Sequence, residues 1–419
     1  MSGLTLRSDS VVTLHPLHIG DEQDGAAEVG RPETGVFVSL PPEGVALVRW
    51  LAAEVPLKKV AEQFTAAYGV ESDIGEFVQE LSGCGFIRSV DGQLLPDHLM
   101  PVETAGPRAW RLLAGLPQSR VAWLLSRPMR ISYVAIWVAL LAMLIARPEL
   151  RPSAGDAFLD IGVLGNLLVL TGLGWALVFL HEVAHLVAVR ARGCSGTLDI
   201  SHRLHMLVAQ TDMTSVRVLP RRERYAPYLA GMTWDAAVFL FCLFLLLVGV
   251  QSRVPGVIAY LLAISLLFQM SVFLRTDVYY VMTTALRLGN LMHDTRRWIV
   301  NVAARVVGAA PRHDLSDVPP RELRIIRWYS GLVVVGVAIM IGEFVLLGLP
   351  LLLRFIRDAA GGLAAGPWTV TFWDSIGLLA VVGIQFGVLL VAVLRERQRR
   401  RVRTAHTAAG LAAIENDAS

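Results

Sequence analysis

The chain has 419 residues, 54% hydrophobic and 17% charged, a balance too apolar for an ordinary soluble enzyme. Its net charge of +3 is too small to mark a nucleic-acid binder, and its basic residues cluster beside apolar runs, which is the pattern of membrane topology. Three cysteines, Cys84, Cys194 and Cys242, are too few and too scattered for a disulfide framework or a cysteine zinc site.

Residues 1–105 read as a soluble domain. The start MSGLTLRSDS has no apolar core, so no cleaved signal peptide is expected and insertion should use internal spans. A short β-like stretch, Val11–Leu14, precedes the alternating strand Gly35–Leu40. Three helical patterns follow, over 42–53, 56–68 and 72–82, with Val45, Val48 and Leu51 facing inward on the first. Gly83 and Gly85 stop the third. Phe86–Val90, followed by Asp91-Gly92, predicts a hairpin. Three short helices with a β-wing describe a winged-helix α/β domain.

Residues 106–130, with Arg108, Arg111, Arg120, Arg127 and Arg130, predict a basic juxtamembrane linker. A mainly α, polytopic membrane helical bundle is expected over 131–394. Its six spans fall at about 131–147, 161–190, 232–252, 256–274, 329–350 and 371–394. Arginines crowd before the first span, after the second, through 217–224 and through 275–327; the opposite connections are poorer in them, with Arg147, Arg151, Arg253, Arg354 and Arg357 as exceptions. That asymmetry predicts a multi-pass cell-membrane protein with both termini cytoplasmic. RERQRRRVR, at 395–403, opens a basic cytoplasmic tail over 395–419, read as an anchor on anionic lipid rather than a nucleic-acid tail.

Within the second span stands His181-Glu182-Val183-Ala184-His185. A central charge in such a segment costs roughly 2.5–3.5 kcal/mol on insertion scales, so a compensating partner is required. On a helix, His181 and His185 lie only about 40° apart, one turn up, so both imidazoles can reach one metal ion. Glu182 points about 100° round, able to reach a metal-bound water without ligating. A third ligand is needed. Asp277, just past the cytoplasmic end of the fourth span, is brought by the arginine-derived topology to the same membrane face. Two imidazoles and a carboxylate suit Zn²⁺, though other divalent metals fit them too. Such a site activates water for attack on a peptide carbonyl, with Glu182 as base. The plainer alternatives are a hydrogen-bonded polar pair in the bundle and a solvated Asp277 at a helix end.

HEVAH on one span and FLRTDVYY on a later one resemble the site-2 protease family of intramembrane zinc metallopeptidases, in its bacterial peptide zinc metalloprotease branch, over roughly residues 160–300. Asp212-Met213-Thr214, RRERYAPYLAG and the LGNL at 288–291 also fit that branch. The resemblance implies His181, His185 and Asp277 as metal ligands and Glu182 as catalytic base. The substrate would be a peptide or membrane protein. The chain departs from the family at Ser271 and Val272, where the family has Asn-Pro, at Val278, where it has Gly, and at Met232, where it has Pro. Without Pro the helix need not kink there, and without Gly the backbone beside the ligand is restricted. These departures keep open a second reading, a non-catalytic membrane receptor or export accessory for a ribosomally made, modified peptide. A di-iron membrane oxidase would need further histidine clusters that the chain lacks. Residues 35–90 are similar in overall pattern to PqqD-like winged-helix domains. That likeness implies leader-peptide recognition by strand addition and tethering of the substrate near the site.

Other polar residues have ordinary expectations. Asp235 and Asp374 are read as solvated near span ends, Asn166 and Gln385 as interhelical hydrogen-bonding residues, and His202 to His205 as a solvated loop. Trp328, Tyr329, Tyr279 and Tyr280 are read as interface markers. Glu343, an intramembrane carboxylate, is a functional candidate by default.

Overall fold

The computed structural model describes residues 6–20, 27–31, 36–70, 73–95, 112–113, 115–157, 159, 161–203, 206–288, 290–315 and 318–417. Gly35, Arg108, Arg111, His205 and Gly289, which figure in the sequence reading, lie outside them.

The N-terminal domain holds β1 (Val12–Leu14), β2 (His18–Ile19), β3 (Ala27–Arg31), β4 (Val36–Leu40), α1 (Pro42–Leu51), α2 (Leu57–Tyr68), α3 (Ile74–Gly83), β5 (Ile87–Val90) and β6 (Gln93–Leu94). The three helices lie where their apolar spacing predicts. Asp73 caps α3 by accepting from the backbone N–H of Glu76 (3.1 Å), and Gly69 closes α2 in the left-handed region. The predicted hairpin turns at Asp91 (φ 49°) and Gly92 (φ 78°), the double positive φ of a type I′ turn. The Asp91 carboxylate also accepts from the Val11 N–H (2.7 Å) and the Ser10 hydroxyl (2.8 Å), which ties the chain start to this turn. These bonds hold its carboxyl below the usual range.

The strands form two antiparallel sheets, in the orders β1-β5-β6 and β2-β3-β4. Val12 stands opposite Val90 in the first, and Ala27 opposite Leu40 in the second. β2 and β3 have no counterpart in the sequence reading. Both sheets cover one core that includes Val12, Val29, Val48, Leu51, Val60, Val78 and Phe86, all fully buried.

The rest of the chain is a helical bundle: α4 (Gln118–Val121), α5 (Arg127–Ala146), α6 (Gly162–Ala191), a hairpin of β7 (Thr197–Arg203) and β8 (Met206–Asp212), α7 (Arg221–Leu247), α8 (Val254–Gln269), α9 (Asp277–Leu286), α10 (Leu291–Val306), α11 (Pro320–Glu343), α12 (Leu349–Leu363) and α13 (Val370–Asp417). Among the described residues, five helices are long and apolar enough to cross a membrane: α5, α6, α7, α11 with its continuation to Leu346, and α13 over Val370–Val391. α8, with 16 residues, is the shorter apolar helix and reaches about 24 Å. α5 turns Ile131, Val134, Val138, Leu141 and Ile145 outward at helical spacing, while Leu140 packs inward against α7 and α8. An outward apolar face of this kind suits a lipid solvent.

Several boundaries differ from the sequence reading. Part of the expected linker is folded: α4 packs at the end of α6, where Gln118 donates to the Ala191 carbonyl (3.2 Å) and the Arg190 guanidinium donates to the Leu116 carbonyl (2.9 Å). The stretch after the second span is a regular β-hairpin, and His202 lies on β7 rather than in a loop. α13 runs through residue 394 without a break to Asp417, because the basic residues that end the apolar run are good helix formers. The N-terminal domain meets the bundle through Glu28 on β3, which pairs with Arg217 (2.9 Å) and with Arg224 on α7 (3.1 Å).

Candidate metal centre

The buried residues of α6 begin at His181: His181, Glu182, His185, Leu186, Ala188, Val189 and Ala191. The first two-thirds of that helix faces outward and its last turns enter the bundle. The costly side chains therefore sit where protein, and not lipid, surrounds them.

Three distant parts of the sequence meet there. His181 Nε2 lies 3.0 Å and His185 Nε2 3.1 Å from Asp277 Oδ2, and the two Nε2 atoms are 3.1 Å apart. All three residues are buried. The opposite edge of each ring is already committed. His181 Nδ1 is 2.9 Å from Asp235 Oδ2, and His185 Nδ1 is 2.8 Å from the Pro227 carbonyl. Carboxylate and carbonyl oxygens only accept, so both Nδ1 atoms donate and both Nε2 atoms present lone pairs. Two such nitrogens and a carboxylate oxygen, converging in a buried site, could hold a cation between them. The donor set fits a divalent metal.

α7 builds the cradle. Pro227, Gly231 and Asp235 recur at every fourth residue and so share one face, laid against the two histidines. Pro227 offers its carbonyl and Asp235 its carboxylate; Gly231 offers space. A Cβ on Gly231 would collide with the Nε2 atoms of both His181 and His185. The expectation that Asp235 is solvated is overturned: it is 1% exposed and also accepts from the Ser265 hydroxyl of α8 (3.2 Å). The i, i+4, i+8 spacing of Pro227, Gly231 and Asp235 was the signal in the sequence that could have found this role.

Asp277 is placed by a chain reversal. α8 ends at Gln269, a short 3-10 turn covers Val272–Leu274, Arg275 takes a left-handed conformation (φ 57°), and α9 starts at Asp277. Gln269 laces the reversal: its side-chain oxygen accepts from the Asp277 N–H (3.0 Å) and its carbonyl from the Thr276 hydroxyl (2.7 Å). Because that oxygen is engaged, the amide nitrogen faces the cluster, 3.5 Å from His181 Nε2. The helix is thus interrupted without proline, and Val278 has an ordinary helical backbone that needs no glycine. The backbone consequences expected from those two departures do not arise.

Glu182 is buried beside His185, and its carbonyl accepts from the Thr211 hydroxyl of β8 (3.2 Å), which docks the hairpin on the motif. Not every other expectation holds. Asn166 bonds the Leu159 backbone and the Gly162 carbonyl, securing the start of its own helix instead of joining two. Gln385 is exposed on α13. Tyr279 and Tyr329 are buried in a common cluster, with the Tyr329 hydroxyl donating to the Val272 carbonyl (3.0 Å), whereas Trp328 is 82% exposed. Glu343 ends α11, exposed and outside the cluster. Asp374 is exposed as expected. Compared with protein-family models, curated proteins and solved structures, the chain finds no match.

Proposed function

We propose that this chain is a membrane-embedded zinc metalloendopeptidase of site-2 protease type, which hydrolyses a peptide or a membrane-associated protein near the cytoplasmic leaflet. The observation that carries the reading is the convergence of His181 Nε2, His185 Nε2 and Asp277 Oδ2, with both Nδ1 atoms already donating elsewhere. His181, His185 and Asp277 would hold the ion, and zinc bound there would supply Lewis acidity and lower the pKa of a water towards neutrality. Glu182 takes the proton of the attacking water and delivers it to the leaving amine. Asp235 and the Pro227 carbonyl hold the two imidazoles in one tautomer and one orientation. Gln269 buttresses the Asp277 backbone and turns its amide nitrogen towards His181 Nε2.

With α8 counted as a sixth crossing, both termini would lie on the cytoplasmic side, as the arginine distribution predicts. The N-terminal domain, joined to the bundle through Glu28, would recruit substrate and raise its concentration at the site.

The test compares full-length wild type with Glu182→Gln in detergent. Bound zinc is measured by atomic absorption, and both proteins are incubated with a panel of peptides and membrane-anchored substrates. Equal zinc with cleavage by wild type alone is expected, the variant losing about 10²- to 10⁴-fold in rate. Equal zinc with no cleavage by either would instead favour the receptor reading. Wild type that binds no divalent metal would overturn the site itself.

A further inference from the structure

We propose that the outer face of α10 lies on an anionic lipid surface, as an amphipathic helix parallel to the membrane. α10 is not one of the candidate spans: its 16 residues carry Asp294, Arg296, Arg297 and Arg305. Its inner face packs against the bundle through Leu291, Asp294, Thr295, Asn301 and Ala304, all buried. The C-terminal half of the helix turns Val302, Ala303 and Val306 outward on one face, with the half-buried Ile299 at its inner end and Val307 just past the helix. That face points away from the protein, with Val302 40%, Val306 81% and Val307 78% exposed.

Two further observations select the occupant. The first is charge. The one acidic residue of α10, Asp294, is turned inward and paired with Arg297 (3.1 Å), while the exposed charged or ionisable side chains are His293, Arg296 and Arg305. An apolar stripe edged by cations fits anionic headgroups over acyl chains. The second is height. Arg327 of α11 lies over the Trp298 ring of α10, 5.0 Å from its centroid, and Arg305 lies over the same ring at 6.0 Å. Arg327 stands where the charged start of α11 gives way to its apolar stretch, immediately before the exposed Trp328. α10 is therefore held level with the start of the apolar stretch of α11, the depth an interfacial helix would occupy.

The test uses full-length protein with Cys84→Ser and Val306→Cys, labelled at residue 306 with an environment-sensitive NBD fluorophore. Cys194 and Cys242 are buried and do not compete for the label in the folded protein. The protein is reconstituted into nanodiscs of phosphatidylcholine, with or without one-quarter phosphatidylglycerol, carrying doxyl-labelled acyl chains. A label at Glu62→Cys, exposed on α2, serves as the aqueous control. Quenching of the residue 306 label at least twofold above the control is expected, strongest in the anionic discs and reduced by Arg296→Glu with Arg305→Glu. A label quenched by aqueous iodide but not by the doxyl chains would overturn the proposal. So would a label shielded from both, which would mean that a peptide or a second copy covers the stripe. None of these readings depends on hydrolysis, so failure here and failure of the peptidase reading are told apart.

Discussion

His181 Nδ1 and Asp235 Oδ2 stand 2.9 Å apart, both buried, on helices α6 and α7. The bond fixes which ring nitrogen of His181 carries the proton, and so aims its Nε2 lone pair at the centre of the cluster. Carboxylates placed behind a ligating imidazole generally contribute about 10- to 100-fold to metal affinity. Asp235→Ala should lower zinc affinity by that amount, measured by competition with a chromophoric chelator. Asp235→Asn, which keeps an acceptor at the same place, should recover part of it. Unchanged affinity in Asp235→Ala would show that the bond orients nothing.

Gly231 is required by space alone. Its φ is ordinary for a helix, and only the absent Cβ lets α7 approach the two imidazoles. Gly231→Ala should drive the rings apart and lower zinc affinity more than about tenfold, while costing roughly 1–3 kcal/mol of stability from overpacking. Zinc stoichiometry and thermal unfolding of the same preparation check both halves. An alanine variant that binds zinc normally would mean the helices have slack that this packing does not display.

Asp91 makes a prediction about pH. Its folded-state pKa is lowered by the Val11 N–H and the Ser10 hydroxyl. A lowered carboxyl pKa stabilises the fold above the unfolded value, about 3.9, and that contribution is lost as pH falls through the folded value. Wild type should therefore unfold at a higher temperature than Asp91→Asn at pH 6, and the gap should shrink below pH 4. A gap that is constant down to pH 3 would count against the bonded carboxylate as its source.

Glu28 links the two parts of the chain through Arg217 and Arg224. Single ion pairs of partly exposed groups contribute only about 0.2–1 kcal/mol, so Glu28→Ala should have a small effect. Glu28→Lys places a third positive charge against two arginines and should separate the surfaces. Amide hydrogen exchange would then rise in β3 and in the turn at Thr214–Val218 while the core of α1–α3 stays protected. No change in either segment would show that other contacts hold the domain in place.

The residues themselves determined much of this protein. Apolar runs of span length can be satisfied only by helices in lipid, so five of the six expected spans recur as long apolar helices, and the sixth as a shorter one. The 3.6-residue spacing in 42–82 and the Asp91-Gly92 pair fixed three helices and a turn, because those signals are local. HExxH fixed two converging imidazoles for the same reason: both ligands belong to one helix. What the linear order does not contain is distance between helices. Asp277 was expected at the site from charge asymmetry and resemblance, but the reversal that delivers it depends on Gln269, whose bonds run across a gap of eight residues. Asp235 read as a solvated end-of-span carboxylate because its partner, His181, is 54 positions away. Gly231 read as a motif letter until the opposing rings showed what its missing side chain is for. β2 and β3 escaped because short strands are defined by their partners and carry little periodicity of their own, whereas the seven-residue β7 does alternate, with Leu198 and Ile200 between Thr197, Asp199 and Ser201. Chemistry-bearing residue types are written in the sequence; the space between them, and therefore the tautomers and the cradle, is set only when the helices pack.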